Sequence, residues 1–156
     1  MKEDNINVLD KLAEHEELIG KLYEAYANVF PELNELWNPL SKDEHQHATW
    51  IKELDLQASS DSRLFINKHR FKIAAINTSL EYIQKEIDRV SLSPIPIIEA
   101  LSIAFYIEQS LIESRLFEVF ETDSVELKHL LQKLNNETVN HRAKVREALD
   151  SQRKAL

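Results

Sequence analysis

A chain of 156 residues with one glycine, Gly20, and four prolines has little turn chemistry from which to build a sheet. Its plentiful residues, Leu, Glu, Ala, Lys and Ile, favour helices. The expected fold class is therefore all-α. The length suits one domain with a real core, spanning residues 1–156, and is short for two.

Apolar residues recurring at helical spacing divide the chain into five helices. Helix A is expected over residues 7–29, with Asn7 as its cap and Leu12, Ile19, Tyr23 and Tyr26 on its buried stripe. Phe30-Pro31-Glu32 makes a corner, and helix B follows over 32–56, where Pro39 should kink the helix or restart it behind Asn38. Ala58 to Ser62 reads as a linker into a crossover helix over 67–90. Helix C is expected over 94–120, begun by Ser93 and Pro94 and apolar around most of its circumference. Helix D is expected over 124–151, with Asp123 and Glu126 in a capping-box pattern.

A formal net charge of −8 argues against a nucleic-acid surface, which depends on Lys and Arg to displace counterions. Small molecules, metals or other proteins are the better matched partners. The absence of cysteine removes disulfides, iron–sulfur clusters, thiolate zinc sites and thiol nucleophiles together. Any metal must be held by carboxylate and imidazole. The amino-terminal Met1 to Asn5 lacks an apolar signal core and no run long enough to cross a bilayer follows, so a cytoplasmic protein without a membrane partner is expected.

Glu44 and His47 stand three apart in helix B, which sets a carboxylate and an imidazole on one face. Alone this is an ordinary helix pattern. Glu16 falls within the apolar stripe of helix A; Gly20 one turn later is either room for a close neighbour or a tolerated surface glycine. Glu108 lies at the middle of the very apolar helix C, where an unpartnered carboxylate costs several kcal/mol or takes a proton. It needs a metal or a cation, and Arg115 is the plain alternative. Glu137 and His141 are four apart in helix D. His45 is expected to point away from His47 into solvent.

Depth ties these residues together. Around the corner at Pro31, Glu16 lies 15 residues before, and Glu44 and His47 lie 13 and 16 after. Around the corner at Asp123, Glu108 lies 15 before, and Glu137 and His141 lie 14 and 18 after. At about 1.5 Å rise per residue, antiparallel helices bring all six to one level within roughly a turn. Glu113 faces elsewhere and would miss that level by about 7 Å.

With Glu16 and Tyr23, the run Asp43-Glu44-His45-Gln46-His47-Ala48 behind Trp37, Glu108, and Glu137 with His141, the chain resembles the ferritin-like superfamily, most closely the rubrerythrin-type di-iron domain. The resemblance implies an up-down four-helix bundle with a long helical crossover between helices B and C. It implies two iron ions, with manganese as the alternative, bridged by Glu44 and the helix-D carboxylate Glu137. Glu16 and Glu108 would be terminal ligands, and His47 and His141 would cap one metal each. Glu137 stands in from one residue away, because Thr138 occupies the position three before His141. The additional helix-C carboxylate of peroxidase-like members has no candidate one turn from Glu108.

The function so implied is a rubrerythrin-like oxidoreductase reacting with O2 or peroxide and fed by an external electron donor, since no cysteine is present for a rubredoxin domain. Tyr23 is the candidate for relaying a proton or electron. A homodimer is the expected assembly. Two other classes share these residues: a ferroxidase or iron-handling protein, and a metal-free helical bundle serving as an interaction module.

Overall fold

The computed structural model describes residues 7–67 and 69–156, so the reading of Met1 to Asn5 lies outside the described residues. Asn7 caps α1 (Val8–Val29), its side chain accepting from the Leu9 amide at 2.9 Å. A single 3-10 turn at Pro31–Leu33 reverses the chain into α2 (Asn34–Ser60), which packs along α1. α2 runs through Pro39 without restarting and continues four residues past the expected end, so Ala58 to Ser60 are helical rather than linker. Pro39 is the sixth residue of α2, so the helix goes on without the bond its missing N–H would have made to the Glu35 carbonyl.

Strand β1 (Leu64–Ile66) precedes α3 (Ile73–Leu92), the crossover helix, which begins later than expected and lies against α1. α4 (Ile97–Glu108) follows Pro96 and packs on α6 (Val125–Lys154). The cap of α6 is Ser124 rather than Asp123, its hydroxyl accepting from the Leu127 amide at 3.4 Å. Among the described residues no helix is long and apolar enough to cross a membrane.

Helix C departs most from expectation. It stops at Glu108, and Ser110 takes extended backbone at φ −61°, ψ 155° and caps the one-turn helix α5 (Leu111–Ser114). A 3-10 turn over Leu116–Val119 then leads to β2 (Phe120–Thr122), which pairs antiparallel with β1, Phe65 facing Glu121. The chain is thus mostly helical but carries one short two-stranded ladder that composition did not suggest. The physical reason is local competition: the Ser110 hydroxyl caps a new turn instead of leaving the old helix to run on. The redirected chain buries Ile112, Leu116, Phe117, Val119 and Phe120.

The buried apolar residues form two clusters. One contains Leu12, Ala13, Ala48, Ile51, Ile112 and Leu134, and the other contains Ile19, Tyr23, Trp37, Leu40, Ile107 and Val145. On α1, α2 and α6, which each contribute to both clusters, the division falls at a buried polar residue: Glu16, Glu44 with His47, and His141. α4 contributes only to the second cluster and ends at the buried Glu108, and α3 passes from one cluster to the other between Leu80 and Ile83 with no buried polar residue. A buried polar layer therefore lies between two apolar ones, at the level that residue counts from the Pro31 corner give for Glu16, Glu44 and His47.

Candidate metal centre

Glu16, Glu44, His47, Glu108, Glu113 and His141 are all buried in this layer. Their ligand atoms form two groups, each within 4.8 Å: Glu16, Glu44, His47 and Glu113 in one, Glu44, Glu108 and His141 in the other. Glu44 belongs to both. Five of the six expected metal ligands thus come together, and Glu113 joins them.

Glu113 was not expected there. In an unbroken helix it would stand about one and a half turns from Glu108 and well around the axis. The break at Gln109 and Ser110 returns it to the same layer, and Arg115, the alternative partner for Glu108, lies out at the surface near Glu118. The signal was present in the sequence: Ser110-Leu111-Ile112-Glu113 has the spacing of a capping box. Half of that box forms, the Ser110 hydroxyl accepting from the Glu113 amide at 3.4 Å, while the Glu113 carboxylate turns into the core.

Glu137 takes a different place from the one expected. Its carboxylate stands 3.0 Å from Nε2 of His47, at the edge of the layer, with a third of the side chain exposed. The reciprocal contact joins Nε2 of His141 to Asp43 at 2.9 Å. Nδ1 of each ring faces inward: that of His141 lies 3.2 Å from Glu44, and that of His47 lies 3.6 Å from it. Both imidazoles are therefore held by an outer carboxylate from the opposite helix and offer their inner nitrogen to the layer. The rings stack, with centroids 5.5 Å apart. In the sequence Asp43 is simply part of the motif, and its role becomes visible once α6 lies beside α2.

Two further residues complete the surroundings. The Tyr23 hydroxyl donates to Oε1 of Glu108 at 2.7 Å, and burial beside Glu108 keeps that hydroxyl protonated, its pKa well above the usual tyrosine range. His15, absent from the sequence reading, is fully buried between Ser79, 2.7 Å from Nε2, and Glu113, 4.0 Å from Nδ1. Burial lowers its pKa to about 4, so it is neutral. Its signal, a histidine next to Glu16 on a helix that turns out to be covered by α3 as well as α2, requires the position of α3 to be known.

The electrostatics are those of too many acids in one place. Burial, and then the charges of Glu113 and Glu44, raise the Glu16 pKa well above the carboxylate range. Burial, followed by the Glu44 charge, does the same to Glu108 against the Tyr23 bond. Burial and Glu44 raise Glu113 to about 8. Burial also pushes Glu44 upward, but bonds to Glu16, His141 and His47 outweigh it and hold that carboxylate well below its usual range. His47 rises to about 9 because its interactions with Glu44 overcome the cost of burial.

The donor set fits a metal pair. Apart from the contacts the acids make with one another, both oxygens of Glu16 and of Glu113, Oε2 of Glu44 and of Glu108, and Nδ1 of His47 are buried without a hydrogen-bond partner from the protein. Buried polar atoms are ordinarily satisfied, and carboxylates facing carboxylates are the costliest exception. Hard oxygens with imidazole nitrogens suit iron or manganese. No protein-family model, curated protein or solved structure matches the chain. The site therefore has to be read from its own chemistry.

Proposed function

We propose that the chain is a two-metal carboxylate protein of the ferritin-like, rubrerythrin type, an oxidoreductase that reacts with O2 or peroxide and receives electrons from an external donor. The observation that carries this reading is that Glu44 is shared by two groups of converging ligand atoms. Charge supports it as well. Glu16, Glu44, Glu108 and Glu113 contribute four negative charges when ionised, which two divalent cations would offset with His47 and His141 neutral. The helical architecture, with its crossover helix and paired halves, agrees with the ferritin-like bundle, and Glu113 adds a further buried carboxylate from α5 rather than from helix C. A metal-free interaction module would leave the same acids facing one another, offset only by the protons that Glu16, Glu108, Glu113 and His47 retain.

Bound iron, or manganese in its place, would supply one-electron chemistry at each ion and a clamp for the oxidant. The residues of the chain do the rest. Glu44 holds the middle of the site, with Glu16, His47 and Glu113 to one side and Glu108 and His141 to the other. Glu137 and Asp43 fix the imidazole tautomers by accepting from Nε2–H, which leaves Nδ1 free to ligate. Tyr23 orients Glu108 and, as the protonated hydroxyl in contact with a ligand, is the candidate for passing a proton or electron. The apolar layers on either side exclude water.

Stopped-flow mixing of the Fe(II)-loaded protein with peroxide under anaerobic conditions tests the reading. Rapid oxidation of the protein-bound iron is expected, with loss of the reaction in Glu44→Ala and His47→Ala. A protein that retains no metal under reducing, iron-rich conditions would overturn it.

A further inference from the structure

The two halves of the site are related by a fixed offset that the structure itself defines. Asp43 holds His141 and Glu137 holds His47, so Asp43 corresponds to Glu137 and His47 to His141, each pair 94 residues apart (137 − 43 and 141 − 47). The same offset pairs Glu44 with Thr138. Where α2 presents the shared carboxylate, α6 presents a hydroxyl that is buried and turned back on its own helix, donating to the Leu134 carbonyl at 3.3 Å. Glu113, which the broken helix brings in, joins the group of Glu16 and His47 and not that of Glu108.

From this asymmetry we propose that the two metal positions are inequivalent: a tightly held ion bound by Glu16, Glu44, His47 and Glu113, and a weaker, exchangeable ion bound by Glu44, Glu108 and His141, with Thr138 setting the difference. The inference rests on the two-metal reading above. The first position has three carboxylates, and none of the four oxygens of Glu16 and Glu113 accepts a hydrogen bond from a tyrosine, histidine or backbone donor of the protein. The second has two. One of them, Glu44, is shared with the first position, and the other, Glu108, already accepts a hydrogen bond from Tyr23. Once an ion sits at the first position, the charge that Glu44 offers a second is partly offset. A second shared carboxylate at position 138 would restore the balance; threonine supplies no charge, and its hydroxyl is engaged elsewhere.

Anaerobic titration of the metal-free full chain with Mn(II), followed by calorimetry and by electron paramagnetic resonance, tests this. Two steps separated by about tenfold or more in affinity are expected, as is usual when a site lacks part of its ligand support. The first equivalent should give the spectrum of isolated ions and the second that of a coupled pair. Glu113→Gln should weaken the first step, Glu108→Gln the second alone, and Thr138→Glu, or Thr138→Asp if the longer side chain disturbs folding, should strengthen the second alone. Two ions entering together as a coupled pair from the first equivalent would overturn the inequivalence and leave the two-metal reading standing. So would a Glu113→Gln variant that is folded and keeps its first step. Absence of any Mn(II) binding would overturn both.

Discussion

At the scale of single residues, the site separates groups that face the layer from groups that hold them. Glu44 and Glu137 were expected to play matching roles, yet Glu44 lies at the shared centre while Glu137 grips the outer nitrogen of His47. Glu137→Gln should therefore retain metal with affinity reduced about 10- to 100-fold, the usual cost of losing an outer partner, as read by competition with a chelator. Tyr23→Phe should leave metal content intact and destabilise the metal-free protein by about 1–3 kcal/mol in denaturant unfolding, because it removes the one donor to a buried carboxylate. Residue counts from the Pro31 corner bring Glu16, Glu44 and His47 to one level because α1 and α2 are continuous helices, whereas Glu108 reaches the same layer although α4 ends at it and the chain onward to Asp123 is not one helix. Glu137 was misplaced because four residues of separation specify a shared face but not which nitrogen of a histidine is approached.

At the scale of elements, two helix details explain the fit of the layers. Gly20, the only glycine, lies beneath the His45 ring, whose atoms would stand 2.7 to 3.0 Å from an added Cβ. That ring bonds Glu17 and Glu24 across the glycine, so His45 is half-buried and not the exposed residue its angle suggested. Gly20→Ala should gain about 1 kcal/mol of helix propensity and lose a comparable amount by displacing His45. In a His45→Ala background the gain should appear alone, and a double-mutant cycle by thermal unfolding measures the difference. The break in helix C is the other detail. Its uninterrupted apolar run hid the break, since periodicity records which residues are apolar and not where a serine caps a new turn. Ser110→Ala should cost about 1 kcal/mol, typical of a lost cap, and weaken metal binding through Glu113.

At the scale of the whole molecule, a layer of acids between two apolar clusters makes stability depend on protons when metal is absent. Glu113, near 8 against an ordinary 4.5, and His47, near 9 against 6.5, both keep protons in the folded chain that the unfolded chain has released. For each, the contribution to stability is complete below the unfolded value and is lost as pH rises through the folded one. His15, lowered to about 4 from 6.5, acts oppositely but only below 6.5. The thermal midpoint of chelator-treated protein should therefore fall between pH 6.5 and 9, while that of metal-loaded protein should hold or rise, because metals compete with those protons. The layer was legible from the Pro31 corner, where both helices are continuous; at the Asp123 corner only α6 runs as the count assumed. The ladder between β1 and β2 was not, since three-residue strands leave no periodic signature and their pairing depends on where the broken helix sends the chain. The most direct measurement is metal analysis of the full chain purified under anaerobic, iron-rich conditions, beside Glu44→Ala. Two metal ions per chain, lost in the variant, are predicted; a native protein without metal, or a variant whose metal content equals that of the native chain, would contradict the account.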